Sequence, residues 1–218
     1  MSATNAHIAN ARLNYNKGQL LENTINANPY QQFDAWLHQA ITEQVQEPYA
    51  MHLGTVNDEG YPSVRVVLLR EIIMNEGLVF FTNYASNKGK AIDHNTKVSV
   101  NFFWEPMERQ VRAQGLVEKL SPQKSDAYFN SRPHESKIGA IVSKQSQIIA
   151  SRELLDENYN KALVEYANAT PARPQHWGGY LIKLNQIEFW QGRSSRMHDR
   201  INYTLNKNNE WNIIRLQP

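Results

Sequence analysis

The feature that most constrains this chain is a series of short apolar stretches, separated by turn signals, between residues 49 and 120. Tyr49–Val56 alternates loosely between apolar and polar side chains, and the sequence NDEG at 57–60 is typical of a hairpin turn. Further strands are predicted from the same kind of pattern at 62–70, 77–82, 97–104 and 109–120. Strands at hairpin spacing predict an antiparallel sheet, and closure of that sheet into a barrel would remove its exposed edges.

Helical patterns flank these strands. Apolar side chains recur at helical spacing from Phe33 to Val45, which predicts an amphipathic helix ending near Gln46. Ser86 is a predicted N-cap for a short helix over 86–95, and the pair Ser121-Pro122 is typical of the start of another. Two more helices are predicted at 135–142 and 153–166, and three closing strands at 177–190, 200–205 and 211–216. The whole pattern predicts a mainly β protein with flanking helices, of the α+β class.

The length and composition favour one domain with an appended arm. No linker or internal repeat divides the 218 residues, so we expect a flexible N-terminal arm over residues 1–29 and a single domain over residues 30–218. The balance of 23 Lys+Arg against 21 Asp+Glu argues against general nucleic-acid binding. No apolar run is long enough for a membrane span, and the N-terminus lacks a secretion signal, so we expect a soluble cytoplasmic protein with no membrane partner.

The sequence lacks the familiar signatures of nucleotide, metal and hydrolase sites. The absence of cysteine excludes thiol nucleophiles and zinc–thiolate sites, and the histidines are scattered, so no metal site is predicted. Neither a GxGxxG nor a GxxxxGK[ST] phosphate loop occurs, and no serine lies in a GxSxG elbow. What remains is a set of cationic residues on or beside the predicted strands.

The densest group of these cations lies in the sequence IEFWQGRSSRMHDR at 187–200. Within the nine residues 192–200, four basic residues surround the single acid Asp199: Arg193, Arg196, His198 and Arg200. An aromatic residue, Trp190, next to convergent guanidinium groups suits a flat anionic ligand, because arginine binds phosphate through two parallel hydrogen bonds. A solvated hairpin tip above a core tryptophan explains the same residues equally well.

The other cations occur in pairs. Arg65 and Arg70 lie in one predicted strand, but five residues apart they point to opposite faces, so two functional roles would need a bulge or two ligands. Lys88 and Lys90 lie near the start of a predicted helix, where backbone N–H groups favour an anion. The simpler explanations are an arginine at the sheet rim and a solvated helix face.

Five segments in this order resemble the pyridoxine/pyridoxamine 5'-phosphate oxidase family. They are RVVLLR (65–70), FFTNYASNKGK (80–90), ERQVRAQG (108–115), YFNSRPHESKIGAIVSKQS (128–146) and WGGY…EFWQGRSSRMHDR (177–200). The resemblance covers nearly the whole chain after Pro29 and extends to the terminal RLQP. It implies an antiparallel, Greek-key-like split β-barrel that binds FMN at the subunit interface of a homodimer.

The activity implied by the resemblance is oxidation of pyridoxamine or pyridoxine 5'-phosphate to pyridoxal 5'-phosphate, with dioxygen as acceptor and hydrogen peroxide as product. By family position, the implied FMN contacts are Arg65, Val66, Leu68, Phe81, Thr82, Lys88, Gln110, Gln145, Ser146, Trp190 and Arg200. The implied substrate contacts are Arg70, Tyr128, Arg132, Ser136, Arg196 and His198, with Arg12 and Tyr15 aligned more loosely in an arm segment that covers the site. Arg196 and His198 are the implied catalytic pair, which would hold the pyridine ring, and a proton-transfer role for His198 is left open.

Two departures from the family pattern bear on affinity. Asn87 stands where many members carry an arginine that holds the FMN phosphate, and we expect this loss to weaken flavin binding by about 1–2 kcal/mol. Arg70 replaces the more usual lysine, which keeps the charge but changes its shape. Two other functions fit a similar site: a split-barrel flavoprotein reductase acting on another substrate, and a non-enzymatic carrier of pyridoxal phosphate or another phosphometabolite.

Overall fold

The computed structural model describes residues 3–11 and 13–218. In these residues the helices are α1 (Ala3–Asn10), α2 (Pro29–Thr42), α3 (Asn87–His94), α4 (Pro122–Ser131), α5 (His134–Val142) and α6 (Arg152–Glu165). The strands are β1 (Ala50–Val56), β2 (Pro62–Leu68), β3 (Glu71–Ile73), β4 (Gly77–Asn83), β5 (Lys97–Trp104), β6 (Arg109–Lys119), β7 (Trp177–Gln191), β8 (Asp199–Leu205) and β9 (Trp211–Leu216). None of the described helices is both long and apolar enough to cross a membrane.

The strands form a nine-stranded sheet in the order β2-β1-β5-β6-β7-β4-β3, with β8 paired to β7 and β9 to β8. The β1–β2, β1–β5, β3–β4, β4–β7, β7–β8 and β8–β9 pairs are antiparallel. The predicted antiparallel sheet with flanking helices is therefore confirmed. In the β1–β2 hairpin, Gly60 has a φ of 86°, a conformation that glycine adopts without steric cost.

Capping residues explain where several helices begin. The Ser86 hydroxyl accepts a hydrogen bond from the Gly89 N–H at 3.3 Å, and the Ser121 hydroxyl accepts one from Lys124 N–H at 3.2 Å. Each serine satisfies an N–H group in the first helical turn that has no partner within the helix. Both predicted N-caps are confirmed.

Two predicted boundaries were wrong. Helix α2 ends at Thr42 rather than near Gln46, because Gln44 adopts a left-handed φ of 57°. The Val45 N–H then bonds the Ala40 carbonyl at 2.9 Å, which closes the helix with a Schellman motif well before Pro48. The strand predicted to reach Arg70 ends at Leu68, and the short strand β3 after it was not predicted.

The chain forms two compact units. The first consists of Met1–Pro48, Phe102–Arg112 and Gln186–Pro218, and its core is aromatic. There, Phe33 packs against Phe102 with ring centroids 4.9 Å apart. Trp36 meets Phe189 edge to face at 5.2 Å. These rings hold α2 against the sheet of the first unit, since buried aromatic side chains contribute large apolar areas.

The second unit consists of Tyr49–Asn101 and Ala113–Asn185. Its core contains fully buried side chains from several strands and from α5: Leu53, Leu78, Phe80, Ile138 and Ile182. Strand β4 is buried along almost its whole length, as expected for a central strand covered on both faces. Strand β4 also contributes Phe81, Thr82 and Asn83 to the lining of a cavity that contains three cationic side chains.

Candidate ligand-binding site

A cavity of about 510 Å³ lies in the second unit. Its described lining residues include three cations, Arg70, Lys88 and Arg132, and no carboxylate. Among the residues predicted from the sequence, the cavity collects Val66, Leu68, Arg70, Phe81, Thr82, Lys88, Tyr128, Arg132, Ser136 and Gln145. Six further residues line it and were not predicted as site residues: Val67, Asn83, Gly139, Ala140, Ser143 and Trp177. A concentration of positive charge without a neighbouring acid favours an anionic ligand.

Arg70 reaches this cavity because the chain changes its pairing partner just before it. The Leu69 N–H bonds the Tyr49 carbonyl beside β1 at 2.9 Å, whereas the Arg70 N–H bonds Val79 of β4 at 2.8 Å. The ideal strand geometry that put Arg65 and Arg70 on opposite faces therefore does not extend to Arg70. Arg70 and Arg65 line different cavities.

Lys88 is held at the N-terminal turn of α3. Its Nζ donates to Gln145 Oε1 at 2.7 Å and lies 3.3 Å from the hydroxyl of Ser86, the N-cap of the same helix. Burial, with the nearby charge of Arg65, lowers the pKa of Lys88 to about 8. A bound anion would stabilise the protonated form of Lys88 and raise its pKa again.

Arg132 follows α4 directly and points its guanidinium over the rings of Trp177 and Phe129, at 4.6 and 5.7 Å from the ring centroids. Its Nη1 is buried and has no hydrogen-bond partner among the described residues. Burial is the main cause that lowers the pKa of Arg132, with Arg70 acting in the same direction and Tyr128 opposing it. A buried guanidinium nitrogen without an acceptor is costly, so this atom marks a position where an anionic oxygen would be stabilised.

Aromatic rings form one wall of the cavity. Phe81 stacks on Tyr128 with centroids 3.7 Å apart, and Trp177 is parallel to Phe81 at 5.6 Å. Stacked rings beside cations suit a planar heteroaromatic ligand that carries a phosphate.

Arg65 and Ser146 lie outside this cavity. The Arg65 Nη1 donates to Thr55 Oγ1 at 2.7 Å and to the Leu53 carbonyl at 3.1 Å. It lines a second cavity, of about 440 Å³, together with Asn87 and Lys90. The Ser146 hydroxyl accepts a hydrogen bond from the Asn87 N–H at 3.3 Å, so it approaches the start of α3 from the α5–α6 connection.

The first unit carries a different cluster. His198 lies 4.7 Å from the Trp190 ring and 5.8 Å from the Tyr15 ring, measured between centroids. Together with Arg193 and Arg196, His198 and Tyr15 line a cavity of about 620 Å³. Tyr15 also meets Trp190 edge to face at 5.8 Å. The arm residue Tyr15 thus contacts two of the residues predicted from the 187–200 stretch.

The protonation state of His198 follows from its contacts. Its Nδ1 accepts a hydrogen bond from the Arg193 backbone N–H at 3.1 Å, so the neutral ring carries its proton on Nε2. Partial burial, reinforced by Arg196 and opposed by Asp199, lowers the pKa of His198 below its usual 6.5. At neutral pH the ring is therefore a neutral Nε2–H donor.

Ion pairs shape the rest of the 187–200 stretch. Asp199 binds Arg193 and Arg215, each at 2.9 Å, rather than Arg196. Arg196 is exposed and has a left-handed φ of 61°, next to Ser195 at 56°. A non-glycine residue in this conformation is uncommon, and such strain is found at functional sites.

Arg200 is paired with an acid that sequence reasoning missed. Its Nε and Nη2 bind the two oxygens of Glu188 at 2.9 and 3.1 Å, and Arg112 binds the same carboxylate. Burial by itself would raise the pKa of Glu188, but the hydrogen bonds from Arg200 and Arg112 outweigh it and lower the pKa. The available signal was an isolated acid inside the apolar strand IEFW. Gln110 is half-buried in β6, and Arg12 lies outside the described residues.

The residues of the second-unit cavity fit FMN or a pyridoxal-type phosphate by their chemistry. Lys88, Arg70 and the unpartnered Nη1 of Arg132 supply donors for phosphate, while Phe81 and Trp177 supply flat apolar surface. Thr82 and Gln145 supply a hydroxyl and an amide for the polar edge of a ring.

The fold defines the chain as a split-barrel protein. The crystal structure of PhzG from Burkholderia lata 383 in complex with tetrahydrophenazine-1-carboxylic acid is similar, with a TM-score of 0.86 and 26% identity over 93% of this chain and 100% of that chain. A pyridoxamine 5'-phosphate oxidase-related, FMN-binding protein from Nostoc punctiforme shares the fold, with a TM-score of 0.73 and 16% identity over 89% of this chain and 100% of that chain.

The chain belongs to the pyridoxamine 5'-phosphate oxidase family. Residues 37–162 match the family described as pyridoxamine 5'-phosphate oxidase, and residues 177–218 match the pyridoxine 5'-phosphate oxidase C-terminal dimerisation region. The pyridoxine/pyridoxamine 5'-phosphate oxidase of Trichormus variabilis is 47% identical over 97% of this chain and 98% of its own length. That of Bordetella pertussis is 47% identical over 97% of this chain and 99% of its own length. The resemblance read from the five segments is confirmed at the level of family and fold.

Proposed function

We propose that this chain catalyses the FMN-dependent oxidation of pyridoxamine 5'-phosphate and pyridoxine 5'-phosphate to pyridoxal 5'-phosphate, with dioxygen as acceptor. Relatives at 47% identity over nearly the full chain bear the corresponding name, which supports the same reaction here. The observation that carries the proposal is Arg132, whose buried Nη1 has no acceptor in the described structure and which lines a cavity free of carboxylates. A phosphorylated ligand supplies the missing oxygen.

The phosphate end of the substrate is assigned to four residues of the cavity: Arg70, Tyr128, Arg132 and Ser136. Two guanidinium groups and two hydroxyl groups offer charge-assisted and neutral hydrogen bonds to a dianion, and guanidinium donors bind phosphate oxygens in pairs. Because these groups are set by α4, α5 and the strand switch at Arg70, they orient the substrate before reaction.

The ring end is assigned to Arg196 and His198. The neutral His198 presents Nε2–H as a donor and does not add a positive charge beside Arg196. We assign it to holding the substrate ring and its substituent, while Arg196 supplies the cation that favours the electron-rich side of the ring. Tyr15 covers this cluster by its contact with His198, which supports a role in excluding water.

FMN is assigned to Lys88, Arg65, Thr82 and Gln145 in the second unit, with the other family positions completing the contacts: Val66, Leu68, Phe81, Gln110, Ser146, Trp190 and Arg200. Bound FMN would supply the redox chemistry, taking two electrons from the substrate and passing them to dioxygen to give hydrogen peroxide. The amine substrate then releases ammonia on hydrolysis, whereas the alcohol substrate gives the aldehyde directly.

A homodimer is part of the proposal. The match of residues 177–218 to a C-terminal dimerisation region supports self-association. We propose that FMN lies at the subunit interface, so that residues of both protomers contribute to one site, as the family resemblance implies.

A second candidate function is oxidation of a different substrate by the same fold. The similarity to PhzG, whose crystal structure contains tetrahydrophenazine-1-carboxylic acid, favours this candidate over a non-enzymatic phosphometabolite carrier. The buried, unpartnered Nη1 of Arg132 supports the first candidate. A phosphate carries more charge and more acceptor oxygens than a carboxylate, so it satisfies such a donor better.

An anaerobic absorbance spectrum tests the proposal. Addition of pyridoxamine 5'-phosphate to the purified holoprotein should bleach the flavin band, and admission of air should restore it with one equivalent of hydrogen peroxide. A flavin band that bleaches with a tetrahydrophenazine carboxylate but not with pyridoxamine 5'-phosphate would support the second candidate. A protein that binds pyridoxal 5'-phosphate without any bleaching would be a carrier.

A further inference from the structure

We propose that Glu108 is a positioning residue that clamps the N-terminal arm so that Tyr15 stays against His198. The inference deepens the proposed function and rests on it for the kinetic effect, whereas the clamp itself is a property of the fold. Glu108 lies between β5 and β6, just after a short 3-10 turn at Glu105–Met107. Only 8% of Glu108 is exposed, whereas a glutamate usually lies at the protein surface.

The side chain of Glu108 holds the arm. Its Oε2 accepts hydrogen bonds from two successive backbone N–H groups, Asn16 at 2.8 Å and Lys17 at 2.9 Å. Lys17 Nζ adds a bond to the Pro106 carbonyl at 2.7 Å in the same turn. Two N–H donors on one carboxylate oxygen form a charge-assisted contact with a segment that belongs to no helix or strand.

The backbone of Glu108 binds a second element, the end of β7. Its carbonyl accepts a hydrogen bond from the Gly192 N–H at 2.8 Å and another from Gln191 Nε2 at 3.2 Å. Gly192 begins the segment that leads to Arg193, Arg196 and His198. One residue therefore fixes both the arm, through its carboxylate, and the end of β7, through its carbonyl.

Tyr15 lies where these two elements meet. A Cβ atom on Gly192 would come within 2.8 Å of the Tyr15 ring, so the absence of a side chain at 192 is what allows the ring to approach. The ring then contacts Trp190 and His198, each with centroids 5.8 Å away. Since Asn16 is the next residue in the chain, a shift of its backbone moves Tyr15 directly.

The backbone of Glu108 lies in the left-handed region. Its φ of 54° is left-handed, a region that glycine occupies freely and glutamate does not. A position with this geometry would be filled at lower cost by glycine if the backbone were its only contribution.

Hydrogen exchange tests the clamp without relying on turnover. In the full-length holoprotein, Glu108→Ala should speed exchange of the amides of residues 16 and 17 at least tenfold, while amides of β8 stay as protected as before. Glu108→Gly removes the carboxylate but accommodates the left-handed backbone, so it should give the same local effect in a folded protein. Glu105→Ala removes an exposed carboxylate from the same turn and should change neither segment. Unchanged protection of residues 16 and 17 in both Glu108 variants would overturn the proposal.

A double-mutant cycle tests the link to catalysis. Glu108→Ala should raise KM for pyridoxamine 5'-phosphate about fivefold or more, and Tyr15→Ala should have an effect of at least that size. If Glu108 acts through Tyr15, the double variant should match Tyr15→Ala within about twofold. Effects that multiply would refute that link. A wild-type protein that shows the clamp by exchange but does not oxidise this substrate would overturn the proposed function and leave the clamp standing.

Discussion

At the scale of single residues, the second-unit cavity contains cationic groups, and its described lining includes no carboxylate to pair with them. Arg132 has a buried Nη1 without an acceptor among the described residues, and Lys88 has a depressed pKa in a cavity whose described lining has no carboxylate. Both features cost stability in the free protein, and under the proposed function a bound phosphate would offset both costs.

Replacing Arg132 should weaken substrate binding and leave the flavin in place. Arg132→Ala removes charged hydrogen bonds each worth about 1.5–3 kcal/mol, so KM for pyridoxamine 5'-phosphate should rise roughly 10- to 100-fold. Arg132→Lys should recover only part of this loss, because an ammonium group cannot donate in the paired geometry. Steady-state kinetics and the absorbance of the purified variant measure the two effects. A variant that purifies colourless, and that shows an unchanged KM once FMN is added back, would assign Arg132 to the cofactor instead.

Lys88 should make flavin affinity depend on pH. In the free protein its pKa is lowered to about 8, so the side chain loses its charge as the pH rises through that value. A bound phosphate stabilises the charged form and raises this pKa, so FMN affinity should be highest below pH 8 and fall between about pH 8 and 9. Fluorescence titration of the apoprotein with FMN measures the fall. In Lys88→Arg the charge persists over this range, and the affinity should be nearly flat; an equal fall in both proteins would contradict the assignment.

At the scale of elements, two devices place the cations: the partner switch before Arg70 and the N-terminus of α3. Ser86 is the N-cap of α3, is completely buried, and also lies 3.3 Å from Lys88 Nζ. The stability of this helix start and the position of Lys88 are therefore coupled through one hydroxyl group. The N-cap of α4, Ser121, caps its helix in the same way through the Lys124 N–H, a residue to which no ligand is assigned.

The two caps form a matched pair of variants. Ser86→Ala and Ser121→Ala should each lower the free energy of unfolding by about 1–2 kcal/mol, because each leaves a helical N–H without its side-chain acceptor. Only Ser86→Ala should also weaken FMN binding, since only Ser86 helps to hold Lys88. Urea denaturation and apoprotein titration with FMN separate the two effects. Equal flavin affinity in both variants would show that the cap acts on the helix alone.

At the scale of the whole molecule, exposed apolar side chains in strands are a sign of self-association. Ile214 in β9 is 50% exposed and lies within the residues that match a dimerisation region. Val164 on α6 is 78% exposed and lies outside them. Strand edges with exposed apolar residues are generally covered in soluble proteins.

A change at Ile214 should therefore disturb the dimer. The wild-type protein should sediment near 50 kDa, twice the 25.2 kDa of one chain. Ile214→Glu should lower the sedimenting mass towards that of the monomer and reduce bound flavin in parallel, because a buried charge at an interface is costly. Val164→Glu serves as the control and should leave both unchanged. A wild-type protein that sediments as a monomer and retains flavin would contradict the interfacial site.

The sequence by itself determined the antiparallel sheet, most helix starts and the family. The strands and helix starts are local properties. Alternation along β5 and β6 predicts the strands, and a serine before the first helical turn, Ser86 or Ser121, predicts a helix start. Family membership rested on five ordered segments rather than on any single motif.

Only the tertiary structure decided which of the predicted residues lie together. The switch from Tyr49 to Val79 as hydrogen-bond partner, which separates Arg70 from Arg65, depends on strands that are distant in sequence. No local sequence motif predicts the ion pair between Arg200 and Glu188 or the hydrogen bond from the Asn16 N–H to Glu108. Side-chain pairing of this kind depends on the register of the sheet and on burial, which local sequence patterns do not encode.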